Sequence, residues 1–336
     1  MEVIAGALHT AFPMDDASRV GEARRHAAAL AEMAGLDENA AGRLAIVVTE
    51  LGNNLARHAV AGRLLIAQSG DSGVEVISMD EGPGMADTNL CLSDGYSTAG
   101  TPGTGLGAVK RMADDFELHS AAPGGTIIIA RMRSARARPS HPHAVRVAGI
   151  SIAAPGETVC GDSWAAGLNS AGGSIIVADG LGHGPQAAEA SLAATSVFGA
   201  SPAAGPMDIL ARAHGELRST RGAAVSILHL DTQADTIRCC GAGNVLARVI
   251  SGMSDRSILT QHGTVGLQIR RPDEVTQPWP DHAVLVVHSD GIESRWGTDR
   301  LMPLLGRDPQ LMAAVLIRDH MRGRDDATVV VMRREG

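Results

Sequence analysis

Ser174-Ile-Ile-Val-Ala-Asp179-Gly180-Leu-Gly182-His183-Gly184 drives a run of strand formers straight into an aspartate set among glycines. The same plan occurs earlier, in Val74-Glu-Val-Ile-Ser-Met-Asp80-Glu-Gly82-Pro-Gly84. An acid at the mouth of a strand, beside backbone that a ligand can approach closely, is a common layout for a binding site. The neighbours of the two aspartates differ, so the pattern predicts two sites of different chemistry, one in each half of the chain.

Length and composition fit that division. A chain of 336 residues is long enough for two domains, each burying its own core. With 44% apolar and 20% charged residues it reads as an ordinary globular protein. Its formal charge of 29 − 37 = −8 argues against general affinity for nucleic acid, and 2% aromatics leave few platforms for stacking bases. Cys91, Cys160, Cys239 and Cys240 form no C-x-x-C pair and have no metal-ligand spacing, as expected of reduced thiols in a cytosol. Met1-Glu-Val-Ile-Ala has no basic region ahead of its apolar residues, and no apolar run reaches ~18 residues. The expectation is a cytoplasmic protein that does not enter a membrane.

Residues 131–143 are basic, carry two prolines and lack apolar periodicity, which marks a linker over 135–144. Domains of 1–134 and 145–336 follow. In the first, alanines and leucines at helical spacing predict a helix over 16–34 stopped by Gly35. A second helix runs from the N-cap Asp37 to about Ala59. Strands are predicted over 63–67, 74–79 and 126–132, with a helix over 105–113. This is an α/β sandwich with helices on one face of a mixed sheet. In the second domain strands dominate: 145–153, 174–178, 223–230, 236–242, 245–250, 283–288 and 327–332. Helices fit 186–198, 206–219 and 309–321, giving two packed sheets flanked by helices and an α+β chain overall.

Glu50, Asn54 and His58 lie four apart on the second helix and form one polar stripe, since four residues advance about 400°. On that pattern alone a solvated face is the ordinary reading. Two glycine-rich loops raise its interest: Asp80–Gly84 motif residues, and Gly103-Thr104-Gly105-Leu106-Gly107 opening a helix, where backbone N–H groups can hold phosphates. Together, over nearly all of residues 10–133, these elements resemble the Bergerat-fold (GHKL) ATPases. The resemblance implies that Asn54 holds Mg²⁺ through its amide oxygen. It makes Asp80 the acceptor for the adenine amino group, with Gly82 and Gly84 packing against the base. Gly103, Thr104, Gly105, Leu106 and Gly107 become lid and phosphate contacts, Thr126 joins the nucleotide-binding set, and Glu50 becomes the general base on the attacking hydroxyl. The stretch 94–112, which holds the only tyrosine, Tyr96, looks like the lid of RsbT-type serine/threonine kinases. Sensor histidine kinases carry a phosphoacceptor hairpin before this domain, and the residues ahead of the second helix hold none. Lys110 is either a phosphate contact or a solvated lysine.

In the second half, Asp162, Asp179, Asp290 and the pair Asp325-Asp326 all fall where strands begin or end. Any one Asp-Gly is more often a turn. Four such acids in one domain, with no thiols among them, suit Mg²⁺ or Mn²⁺. Residues 145–334 resemble the SpoIIE branch of the metal-dependent (PPM-type) protein phosphatases, RsbX-like, through G-D-S-W at 161–164, A-D-G-L-G-H-G at 178–184, C-G-A-G-N at 240–244, S-D-G-I-E at 289–293 and D-D-A-T at 325–328. The resemblance implies a two-metal site. Asp179 bridges the ions, Asp162 and the Gly180 carbonyl serve one, and Asp290 serves the other with Asp325 or Asp326, of which Asp325 is favoured. Water, not a protein nucleophile, then attacks phosphoserine or phosphothreonine. His183 is equally a neighbour of the metal loop or a substrate contact, and His141 and His143 read as solvated linker residues.

The two resemblances imply a bifunctional switch, a kinase fused to the opposing phosphatase. Its partner is a STAS-domain antagonist or stressosome-like scaffold, and a sigma factor or downstream phosphatase is a further candidate. Two alternatives stay open: a phosphatase gated by nucleotide binding without transfer, and an anti-sigma-factor module that only binds.

Overall fold

The computed structural model describes residues 1–92, 105–135 and 143–335. The chain divides into two compact units, His9–Pro139 and a second made of Met1–Leu8 with Ser140–Gly336. The first strand, β1 (Glu2–Ala5), pairs antiparallel with β8 (Asp162–Asn169), Glu2 opposite Leu168. Residues 1–8 therefore lie in the second unit, not in the first as the reading of the sequence had them. A four-residue strand whose partner is some 160 positions away leaves no local signal of where it goes.

In the His9–Pro139 unit, strands β2 (Thr10–Pro13), β3 (Arg63–Gln68), β4 (Gly73–Met79), β5 (Asp115–Ser120) and β6 (Thr126–Arg133) form one sheet in the order β2-β3-β4-β6-β5. Every neighbouring pair is antiparallel, so the sheet is not mixed as expected. The connections explain this. Tight turns join β3 to β4 and β5 to β6, while two helices in series, α1 (Arg19–Met33) and α2 (Glu38–His58), carry the chain out and back between β2 and β3. Helix α1 buries Val20, Ala23, Ala27 and Ala31, and α2 buries Leu44, Val47, Val48, Leu51 and Leu55. These stripes meet Phe12, Leu64, Ile66, Val74, Val76, Ile128 and Met132 in one core. Burial of each such large aliphatic side chain contributes about 1.5–3 kcal/mol. Gly52 lets the helices approach, because a Cβ there would lie 3.0 Å from Val20 Cγ2. Asp37 caps α2, its Oδ1 accepting the Ala40 N–H at 2.8 Å. Two short helices, α3 (Thr88–Leu92) and α4 (Gly105–Met112), follow β4.

The second unit stacks two sheets. One contains β1, β8, β9 (Gly172–Gly180), β10 (Ala223–Asp231), β11 (Thr236–Ala242) and β16 (Val275–Pro278) in that order. The other runs β13 (Asp255–Ile258), β12 (Leu246–Ile250), β17 (Val284–His288), β18 (Ala327–Arg334), β7 (Val145–Ile152). Trp164, Ile175, Val177, Leu228 and Leu230 of the first sheet pack on Val249, Leu285, Val287, Val330 and Met332 of the second. Helices α5 (Pro185–Ala200) and α6 (Pro206–Glu216) cover the first sheet through Phe198, Ile209, Leu210 and Ala213. Helix α7 (Pro309–His320) lies against β7 and β18. A small hairpin, β14 (Gly263–Thr264) with β15 (Gln268–Ile269), completes the unit. Cys239 and Cys240 are buried, Cys91 and Cys160 are half-buried, and all four are free thiols. Among the described residues no helix is long and apolar enough to cross a membrane.

Candidate functional site

The second unit gathers its acids at one end of the two sheets. Asp162 opens β8 and stands directly opposite Asp179 near the end of β9. Asp290 follows β17, and Asp325 and Asp326 precede β18, the strand next to β17. Burial, then the charges of Asp162, Asp290 and Asp325, push the Asp179 carboxyl well above its usual range. Asp162 is raised too, by burial first and then by Asp326 and Asp290, although the Ser289 hydroxyl opposes the shift. Burial and Asp325 raise Asp290, against Arg322 and Arg324.

Neighbouring polar groups hold these carboxylates in place. Ser289 Oγ donates to Asp162 Oδ2 at 2.6 Å and accepts the Thr328 N–H at 3.0 Å, so one hydroxyl ties β17, β18 and Asp162 together. Asn244 Nδ2 donates to Asp290 Oδ2 at 2.6 Å. The two adjacent acids differ in employment. Asp326 is buried and its Oδ1 accepts the Ala154 N–H at 2.9 Å, which spends that oxygen on backbone. Asp325 is half-buried, accepts the Asp326 N–H at 2.9 Å, and acts electrostatically on Asp179 and Asp290. Glycines set the loop: a Cβ on Gly180 would lie 2.0 Å from Ala187 O, inside the first turn of α5. His183 is exposed, its Nδ1 2.7 Å from Glu157 Oε1. His288 is buried and its pKa lowered to about 4, chiefly by burial.

This donor set fits divalent cations. Among the described residues no three Asp, Glu, His or Cys side chains are already drawn in to ligand spacing. Like charges on directly opposed strand residues repel, and burial magnifies the penalty. A hard cation with oxygen ligands relieves both. Asn244 and Ser289 were not assigned roles from the sequence, although both sit inside the quoted motifs C-G-A-G-N and S-D-G-I-E.

In the first unit, Glu50 and Asn54 lie one turn apart on α2, half-buried, while His58 is exposed. The start of α4 comes to this pair. A Cβ on Gly105 would stand 2.9 Å from Glu50 Oε2 and 3.7 Å from Asn54 Nδ2. Asp80 follows β4: its N–H donates to Thr126 O at 3.0 Å and its Oδ1 accepts the Gly82 N–H at 2.7 Å. Thr126 is buried and its hydroxyl shares a 2.9 Å hydrogen bond with Ser120. A Cβ on Gly125 would fall 1.9 Å from Asp80 O, and one on Gly84, at φ +74°, would fall 2.0 Å from Ala121 O. Only a glycine fits at position 125, against the Asp80 carbonyl, and at position 84, against Ala121. Leu106 packs towards the core, Gly107 is buried and Lys110 is exposed. Tyr96, Gly103 and Thr104 lie outside the described residues with the rest of 93–104, as do the centre of the linker and His141.

Known families match both halves. Residues 12–132 match the histidine kinase-like ATPase domain family, and residues 170–335 match the stage II sporulation protein E (SpoIIE) family. The chain is 38% identical over 89 residues to serine/threonine-protein kinase RsbT of Bacillus subtilis (strain 168), a match spanning 26% of this chain and 67% of the relative. Among solved structures, a chain from work on the bacterial stressosome as a modular system adapted to control secondary messenger signalling aligns with TM-score 0.53 and 25% identity. It covers 56% of this chain and 99% of that one. RsbX in complex with magnesium aligns with TM-score 0.51 and 21% identity, over 59% of this chain and 98% of that one, a likeness of fold. The chain belongs to the RsbT-like serine/threonine kinase family through its histidine-kinase-like ATPase domain, and joins to that domain a SpoIIE-type phosphatase domain of the PPM fold.

Proposed function

We propose that the protein is a two-way signalling switch of the cytoplasm. Its N-terminal unit transfers phosphate from ATP to serine or threonine of a STAS-domain partner, and its C-terminal unit removes phosphate from phosphoserine or phosphothreonine. One observation carries the second activity: Asp162 faces Asp179 across β8 and β9, with Asp290 and Asp325 in electrostatic reach. Asp179 would bridge two Mn²⁺ or Mg²⁺ ions, Asp162 and the Gly180 carbonyl serving one, Asp290 and Asp325 the other. Such ions supply an activated water and neutralise the phosphoryl oxygens. The protein's own groups fix the geometry. Ser289 orients Asp162, Asn244 orients Asp290, and Asp326 pins the start of β18 to Ala154.

In the kinase half, Glu50 would accept the proton of the attacking hydroxyl, and Asn54, one turn on, would hold the Mg²⁺ of the nucleotide. Gly105, at the start of α4, stands against that pair, and Asp80 would accept the adenine amino group, with Gly82 and Gly125 set close to it. The kinship with RsbT and the stressosome chain supports a STAS-domain substrate, with a sigma factor or downstream phosphatase as a further partner.

Label transfer decides the matter. Incubated with candidate STAS proteins, labelled ATP and Mg²⁺ or Mn²⁺, the protein should label the partner and then release the label. Asn54→Ala should prevent labelling, and Asp179→Asn should trap it. If ATP alters the phosphatase rate without transfer, the N-terminal unit is a regulator. Stable co-purification with a sigma factor, without turnover, marks a binding module instead.

A further inference from the structure

Beside the carboxylate end of the second unit stands a cation without an assigned task. Arg221 lies in the connection between the 3₁₀ turn after α6 and strand β10, and it is exposed. Strand pairing sets Ala223 opposite Gly180, so Arg221 falls across from the loop that leaves Asp179. A Cβ built on Gly182 would lie 3.2 Å from Arg221 Nη1, which puts the guanidinium against that loop. Among the described residues no carboxylate pairs with it. Arg322 and Arg324 are differently engaged, both offsetting the charge of Asp290.

Two exposed leucines flank the same spot. The Leu181 N–H donates to Gly222 O at 3.0 Å, and Leu181 remains 53% exposed. Leu267, 56% exposed, comes from the β14–β15 hairpin, and its Cγ would lie 3.2 Å from a Cβ placed on Gly222. That hairpin is firmly seated. Ala223 and Val265 exchange backbone hydrogen bonds at 3.0 and 2.8 Å, and the Gly266 N–H donates to His214 Nδ1 at 3.0 Å. Gly222, at φ +80°, is the residue that allows so close an approach. Both leucines thus adjoin Gly222, the residue that follows the unpaired Arg221.

We infer that Arg221, Leu181 and Leu267 form the surface that selects the phosphatase substrate, resting on the phosphatase reading above. Arg221 takes the phosphate dianion, for which a guanidinium offers paired donors and a permanent charge. The leucines seat an apolar side chain next to the phosphorylated residue of a protein substrate. Charge complementarity argues for this occupant: an unpaired guanidinium at the border of the carboxylate end offers a phosphate dianion the counter-charge that the acids themselves do not. Substrates are then phosphoproteins with an apolar neighbour to the phosphoserine or phosphothreonine.

The test uses the full chain with Mn²⁺ and three substrates: p-nitrophenyl phosphate, and two phosphoserine peptides that differ only in Leu or Asp beside the phosphoserine. The native protein should prefer the Leu peptide by about tenfold in kcat/KM. Arg221→Ala should raise KM about tenfold for all three substrates, Arg221→Lys should recover part of it, and Arg218→Ala, a nearby exposed arginine, should change nothing. Leu267→Ser should erase the preference between peptides and leave p-nitrophenyl phosphate unaffected. An unchanged KM in Arg221→Ala overturns the phosphate role. Equal use of both peptides by the native protein, or an intact preference in Leu267→Ser, overturns the apolar seat. Failure of the phosphatase reading has another signature, no hydrolysis of any of the three by the native protein, and it removes this inference as well.

Discussion

Asp80 and Asp179 both end apolar strands among glycines, yet the molecule places them in opposite surroundings. Asp80 is bound into backbone: its N–H reaches Thr126 O, its Oδ1 takes the Gly82 N–H, and position 125, against its carbonyl, admits only glycine. Asp179 faces the buried Asp162 and feels two more acids. One carboxylate is arranged to present hydrogen-bonding capacity in a fixed direction. The other is arranged so that only a cation makes its ionised form comfortable. A shared sequence plan thus gains its chemistry from partners that arrive from distant strands.

The comparison breaks most directly at its two centres. Asp179→Asn should cost the phosphatase at least about 10³-fold in kcat, more than the 10–100-fold of supporting groups, while label transfer from ATP is unchanged. Glu50→Gln should do the reverse, lowering transfer by about 10²–10⁴-fold, the span of general base catalysis, with hydrolysis of p-nitrophenyl phosphate intact. Loss of both activities in either variant would join the two sites and end the contrast.

A smaller effect sharpens the account of how the acids are held. Ser289→Ala removes the hydroxyl that links Asp162 to the Thr328 N–H, and Asn244→Ala frees Asp290. Each should raise the Mn²⁺ concentration for half-maximal hydrolysis by about 10–100-fold, as for other groups that orient metal ligands. Titration of activity against Mn²⁺ measures it, and kcat at saturating metal should fall much less. A Mn²⁺ requirement that does not move would assign both side chains to the fold alone.

What the sequence disclosed follows from how local each signal is. Asp37 and Gly35 announce helix ends through groups within a few residues, and α1 and α2 lie close to where periodicity puts them. Strand β8 carried no such mark, because Ala165-Ala166-Gly167 has little strand preference and its place is fixed by β1 and β9 on either side. Without β8 the facing of Asp162 and Asp179 was not legible, although each acid was. Edge strand β5, half-buried along its length, was missed because its apolar face is only Phe116 and Leu118, set among Asp, Glu, His and Ser. Asn244 and Ser289 stood inside recognisable motifs, but their work depends on the adjacency of β12, β17 and β18, which no single segment encodes.

The smallest effect is thermodynamic, and its sign differs between the two units. In the first unit Glu75 is buried beside Arg131, whose Nε donates at 2.6 Å, and His9. Burial alone raises its pKa, but Arg131 and His9 outweigh that and hold it at about 2. A depressed carboxyl stabilises the fold above its unfolded value near 4.5, and the contribution is lost as pH falls towards 2. In the second unit Asp162, Asp179 and Asp290 are raised. Their contribution is therefore complete below about pH 4 and drains away as pH rises through the raised values. Bound Mn²⁺ should reverse this, since it favours the ionised acids. Unfolding followed with and without Mn²⁺ should show stabilisation growing from pH 5 to pH 8, by about 2.7 kcal/mol at 100 times the dissociation constant, or roughly 2–4 °C per kcal/mol. Glu75→Gln should weaken the first unit at neutral pH and leave the Mn²⁺ increment untouched. A metal increment that is flat across this range would mean the four acids do not share the cations, and Asp179 would then be no more than a half-buried partner of Asp162.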